Sequence, residues 1–268
     1  MLSKSELVAY KRDGFLFPRR AISSVTAASH KSRLDEYIDH FGAVARGGGM
    51  MTKRPHIVLR WVAELMRHNA IVDAVEAIIG PDILCWSSAF FTKEARSDRF
   101  VSWHQDANYW GLSSDKVVSA WVSLTPSTVE NGCMRFLPGS HRQLHAHDDI
   151  ADANNMLSRG QTMASGVDEE TAVDVRLDAG EFTLFHVNMA HASRPNGSVD
   201  DRVGVVFRYV AGDVFQTKAD TDSASLIRGC DRVGFFEHEP MPTYDLDPGC
   251  LAFHKRVCGS RSKVYFSN

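Results

Sequence analysis

The chain lacks most of the features that would place it outside the cell, in a membrane or on a polyanion. Its five cysteines (Cys85, Cys133, Cys230, Cys250, Cys258) are odd in number, scattered and free of any CxxC spacing. That excludes a disulfide framework or a thiolate zinc site as the organising principle. No apolar run reaches the roughly 18 residues of a membrane-spanning helix. The opening MLSKSELVAYKRDG is charged and amphipathic, without the apolar core of a signal peptide, so a cytoplasmic location is the expectation. Neither sign of charge dominates: 33 acidic residues face 30 basic ones, and neither is gathered in blocks. No nucleic-acid or membrane partner is therefore expected. RGGGMM at 46–51 is not followed by the Gly-Lys-Ser/Thr of a phosphate-binding loop, and reads as a flexible loop near a site entrance. Repeats, low-complexity tracts and Pro/Ser linkers are also missing, so the 268 residues, 44% hydrophobic and 24% charged, read as one domain.

What is present is a helical first third and a strand-rich remainder. Ser3 caps a helix running to Arg12 and stopped by Gly14, and GFLF follows as a strand. Residues 24–41 and 57–79 carry apolar residues at helical spacing, as in Ile57, Trp61, Leu65 and then Ile71, Val75, Ile78. From about residue 83 the period changes to two: ILCWSSAFF, KVVSAWVSLT, EFTLFHV and RVGVVFRYVA are strands separated by Pro-Gly, Ala-Gly and Pro-Asn-Gly turns. Helical support over 1–82, a β core over 83–211 and an extension over 212–268 make a mainly β sandwich or barrel with supporting helices. The polar stretch from His141 to about Asp174 is too long for a plain connector and is a candidate active-site lid.

The chemistry is concentrated in WHQDANYW, residues 103–110. If this segment is a strand, His104 and Asp106 point to one face and offer an imidazole and a carboxylate together. A third ligand has to come from a distant strand, and both His186 and His191 follow AGEFTLF. His191 is preferred because Ser193 and Arg202 lie downstream of it, with Arg202, Gly204, Val206 and Arg208 on one face of the next strand. A guanidinium buried beside a metal needs an anion, and its fork suits a carboxylate. His186 then reads as a strand histidine hydrogen-bonded within the core, a ligand only if His191 is wrong. Two histidines, one carboxylate and open positions are the ligand set of a non-haem Fe(II) oxygenase.

Several motifs in order now give a family resemblance. WHQD, VSAWVSL, ENGCMRFLPGSHR, GEFTLFHVNMAH and Arg202 together resemble the phytanoyl-CoA dioxygenase family of Fe(II)/2-oxoglutarate oxygenases, most strongly over residues 84–211. The resemblance implies a double-stranded β-helix, a cupin-like jelly roll, with Fe(II) held by His104, Asp106 and His191. It implies 2-oxoglutarate chelating that iron, its far carboxylate at Arg202 and Ser193, with Trp121 against it. O₂ would then be used to hydroxylate an aliphatic C–H bond, releasing succinate and CO₂. Lys93 matches a basic position of the family, facing co-substrate or substrate. Halogenases of this superfamily replace the carboxylate of the HxD motif with Ala or Gly, and Asp106 is retained here.

The partner expected is a small-molecule substrate. Tyr109 and Arg208 are candidate substrate contacts, whereas Trp110 reads mainly as core. HRQLHAHDD, with His141, His145 and His147, reads as a solvated part of the lid rather than a second metal site. Lys93 and Arg208 near the cavity favour a small anionic or zwitterionic compound such as an aminoalkylphosphonate, with a natural-product or amino-acid-derived intermediate as the alternative. A non-catalytic jelly-roll binding module is the reading from a different class.

Overall fold

A computed structural model describes residues 1–46 and 49–265. Gly47 and Gly48, at the centre of RGGGMM, lie outside the described residues. The first helix, α1 (Lys4–Asp13), begins with a reciprocal cap: Ser3 Oγ accepts the Glu6 N–H and Glu6 accepts the Ser3 N–H. Gly14 ends it with φ 87°, a conformation cheap only for glycine. β1 (Phe15–Arg20) and α2 (Ser24–Phe41) follow as expected. The expected helix over 57–79 is instead two, α3 (Arg60–Met66) and α4 (Asn69–Ile79). The break falls where the His68 side chain accepts the Ala70 N–H and caps the second helix, a local competition that periodicity does not reveal.

The strands are β2 (Ile83–Lys93), β3 (Val101–His104), β4 (Val117–Ser123), β5 (Met134–Phe136), β6 (His147–Asp149), β7 (Gln161–Met163), β8 (Val173–Val175), β9 (Glu181–His186), β10 (His191–Ser193), β11 (Arg202–Ala211), β12 (Asp222–Arg228) and β13 (Phe236–His238). A single-turn helix, α5 (Ala107–Trp110), follows β3, and α6 (Pro248–Tyr265) closes the described chain. A large sheet runs β1-β9-β4-β11-β2-β12-β13 and a smaller one β3-β10-β5-β8, while β6 and β7 form a separate hairpin. This is the jelly roll. The extension is not an appendage, since β12 pairs with β2 and carries the large sheet outward.

Alternation assigns the two faces of the large sheet. Val203, Val205 and Phe207 of β11 and Val118, Ala120 and Val122 of β4 pack with Trp61, Leu65, Ile71 and Val75 in the helix-covered core. Each such buried Val, Leu, Ile or Phe contributes about 1.5–3 kcal/mol. The opposite face carries Trp121 and Val206 against Phe136 and Met134 of the smaller sheet. No described helix is long and apolar enough to cross a membrane.

Candidate metal centre and active-site cavity

β10 lies between β3 and β5, and its register sets His191 opposite His104. Their rings are 4.1 Å apart, and ligand atoms of His104, Asp106 and His191 all lie within 4.8 Å of one another. Asp106 reaches the cluster by a route other than the expected one. β3 ends at His104, and Asp106 adopts αR geometry (φ −60°, ψ −38°) as the residue that starts α5. A helical turn, rather than strand alternation, brings the carboxylate to 3.6 Å from His104 Nε2.

Both imidazoles are oriented by their other nitrogen. His104 Nδ1 donates to the Ser102 carbonyl and His191 Nδ1 to the Met189 carbonyl, each at 2.9 Å, which leaves the Nε2 lone pairs facing the cluster. Burial, aided by His104, pushes His191 down to about 4, so it stays neutral and able to ligate. For Asp106 burial acts to raise the carboxyl, but the neighbouring His104, His191 and Arg208 outweigh it and hold it below the usual range. Two imidazoles presenting Nε2 and one carboxylate, with both histidines buried and Asp106 partly so, fit a divalent metal with open positions.

Two buried basic side chains accompany this cluster. Arg202 and Lys93 are cross-strand partners on β11 and β2, at 2% and 0% exposure. Lys93 Nζ donates to Ser193 Oγ at 2.7 Å and to the Arg194 carbonyl. The Arg202 guanidinium donates to the Gly132 carbonyl and lies over the Trp121 ring, 5.5 Å from its centroid. Neither cation meets a carboxylate among the described residues. Burial, with Arg202 alongside, pushes Lys93 down to about 6, and burial brings Arg202 down to about 10. Gly204 makes room for this arrangement, because a Cβ there would overlap the Trp121 ring.

His104, Asp106, His191, Ser193, Trp121 and Arg202 open on a cavity of about 820 Å³, within the range of about 300–1,000 Å³ typical of ligand sites, while Lys93 stands behind Ser193 and does not line it. Tyr109, Trp110, Trp86 and Arg208 line it, with Arg208 5.0 Å over the Trp110 ring and Trp86 5.3 Å from Trp110. Trp110 therefore belongs to the cavity wall, not only to the core, because the turn after Asp106 presents it there. Met156 to Arg159 of the long polar segment also line the cavity, as a lid does. His186 ends β9 away from the cluster, where its Nδ1 accepts the Asn188 N–H at 3.1 Å and its Nε2 lies 3.8 Å from Asp115. The His141–Asp149 tract is less solvated than expected: His147 is half-buried and accepts the Gln105 backbone N–H. Sequence reading also missed the buried Arg54, which lines the same cavity and pairs with Glu239 and Asp222.

A jelly roll with a His-Asp-His cluster and a buried arginine without a carboxylate partner among the described residues, all lining one cavity, defines a mononuclear non-haem oxygenase. Residues 10–204 match the phytanoyl-CoA dioxygenase (PhyH) family model, and the chain belongs to that family of Fe(II)/2-oxoglutarate-dependent oxygenases. It is 35% identical to the solved non-heme monooxygenase ThoJ in its apo form, with a TM-score of 0.86 and 97% of each chain covered. A nickel complex of ThoJ matches at 34% identity and a TM-score of 0.80, covering 96% of this chain and 97% of that one. A probable alpha-ketoglutarate-dependent hypophosphite dioxygenase of Stutzerimonas stutzeri is 26% identical over 69% of this chain and 62% of its own length. An ectoine dioxygenase of Streptomyces anulatus is 22% identical over 90% of this chain and 88% of its own.

Proposed function

We propose that His104, Asp106 and His191 hold Fe(II), and that Arg202, Lys93 and Ser193 receive the far carboxylate of 2-oxoglutarate, with Trp121 packed alongside. The observation that carries this reading is the buried Arg202–Lys93 pair without a carboxylate among the described residues, beside His104, Asp106 and His191 with ligand atoms within 4.8 Å of one another. Two basic side chains at that depth are costly to keep charged unless an anion joins them. When bound, iron and 2-oxoglutarate supply the activation of O₂ that hydroxylates an aliphatic C–H bond and releases succinate and CO₂. The protein's residues position and shield: the Nδ1 bonds of His104 and His191 fix the rings, and Trp86, Trp110 and Trp121 exclude water.

For the substrate, the space and the charge both count. Arg208 and Tyr109 are positioned to contact it, and the basic Arg208 favours an anionic or zwitterionic metabolite. The cavity volume favours a molecule of natural-product or amino-acid-derived size. A small aminoalkylphosphonate is the second reading, favoured by the similarity to the hypophosphite dioxygenase.

Anaerobic addition of Fe(II) and then 2-oxoglutarate tests the site. The wild-type protein is expected to develop the visible charge-transfer band of the chelate. Arg202→Ala is expected to need roughly 10- to 150-fold more 2-oxoglutarate, the loss of about 1.5–3 kcal/mol of charged hydrogen bonding. Asp106→Ala should lose turnover. Wild-type succinate release from iron-loaded Asp106→Ala, or an unchanged requirement in Arg202→Ala, would sink the assignment.

A further inference from the structure

Gln105 stands between His104 and Asp106, is fully buried, and has both ends of its side chain engaged. Oε1 accepts the His145 N–H at 2.9 Å, and Nε2 donates to the carbonyls of Gln143 at 2.8 Å and Asn188 at 2.7 Å. Its backbone N–H donates to His147 Nε2 at 2.9 Å. His147 therefore carries its proton on Nδ1, which donates to the His145 carbonyl at 2.9 Å. Three of these partners, at 143, 145 and 147, begin the lid, and Asn188 lies in the turn that leads to His191. The far side of the lid is fastened to the same strand: Ser102 Oγ donates to the Gln161 carbonyl at 2.5 Å and accepts from Asn155 Nδ2 at 2.9 Å.

Gln105 is thus a single residue bonded to the lid, to the turn before His191 and, through its own backbone, to two candidate ligands. A metal that draws His104 Nε2 and the Asp106 carboxylate onto one point fixes the Gln105 backbone between them. We infer that Gln105 is a positioning residue that couples lid docking to occupancy of the metal site. Linkage makes the coupling reciprocal: a docked lid raises metal affinity by the factor by which metal favours the docked lid. The inference rests on the metal assignment made under Proposed function.

Hydrogen exchange of the full chain, with and without Mn(II) as an air-stable probe, tests it. In the wild type, saturating Mn(II) is expected to slow amide exchange over residues 143–161 by roughly 5-fold or more. In Gln105→Ala that metal-dependent slowing should vanish at saturating Mn(II), with metal affinity lower by about 10- to 100-fold. His147→Ala, which leaves the ligands and the Gln105 side chain in place, should lose the slowing over 143–149 and provides the test if Gln105→Ala does not fold. A wild-type lid indifferent to bound Mn(II), or variants that keep the full metal-dependent slowing, would overturn the inference while leaving the metal site standing. Failure of Mn(II) to bind the wild type, read by direct titration, would remove the metal assignment and the coupling with it.

Discussion

Two buried arginines line the same cavity and have opposite surroundings. Arg54, 1% exposed, donates to Glu239, Asp222, Ser223 and the Trp86 carbonyl. Glu239 also binds His56 Nε2 at 2.7 Å and Ser225 Oγ at 2.8 Å. Burial acts to raise its carboxyl, yet Arg54 and His56 hold it at about 2. Arg202 has one carbonyl, one aromatic face and a second cation beside it. The first arginine is answered within the protein and serves the fold. The second meets no carboxylate among the described residues, which is why we propose a ligand for it, and its surroundings rather than its burial distinguish it.

The comparison can be broken most forcefully at Glu239. Glu239→Ala strands Arg54 and His56 in the interior and is expected to cost about 3–5 kcal/mol, read from the urea unfolding midpoint. Arg202→Ala removes a cation that has no carboxylate, so its stability should stay within about 1 kcal/mol of wild type. An equal loss in both variants would erase the distinction.

Lys93 sharpens it through pH. Its folded value of about 6 lies below the usual 10.5, so between these values the unfolded chain binds a proton that the folded chain does not. Stability contributed by this group is therefore lowest below pH 6 and rises toward 10.5. A carboxylate arriving beside Lys93 restores its charge. Binding of 2-oxoglutarate to the iron-loaded protein near pH 8 is expected to take up as much as one proton, and affinity to weaken as pH rises. Calorimetry in two buffers of different ionisation heat measures the uptake, which Lys93→Met should abolish. The smallest effect is the control two residues from Glu239: the exposed Glu237 pairs with Arg256 at 2.6 Å, and Glu237→Gln should shift stability by less than about 1 kcal/mol.

The parts of the site legible in the sequence were those written locally or by alternation. The HxD spacing, the shared face of Arg202, Gly204, Val206 and Arg208, and the split of β4 into Trp121 and its apolar neighbours all follow from adjacency. Family resemblance supplied the order of the motifs. The helical turn at Asp106 escaped because HQD has the same spacing on a strand as in the turn that follows one. Arg54 and Glu239 escaped because 185 residues separate them and neither has a local signature. Gln105 was visible only as the spacer of a motif, since its partners at 143–147 and 188 come together through the fold.

β12 also bears on how the long strand β2 is bordered. β2 is eleven residues long and mostly apolar, and on the side not taken by β11, β12 pairs with Ile83, Leu84 and Cys85 while Lys53 bridges to Ala89. Without that cover β2 would be a long edge strand, a template for pairing with a second chain. His238, Glu237 and Arg228 at the end of the β12–β13 ribbon put polar side chains at that border. The family match stops at Gly204, and the strands that extend the sheet beyond β2 come after it.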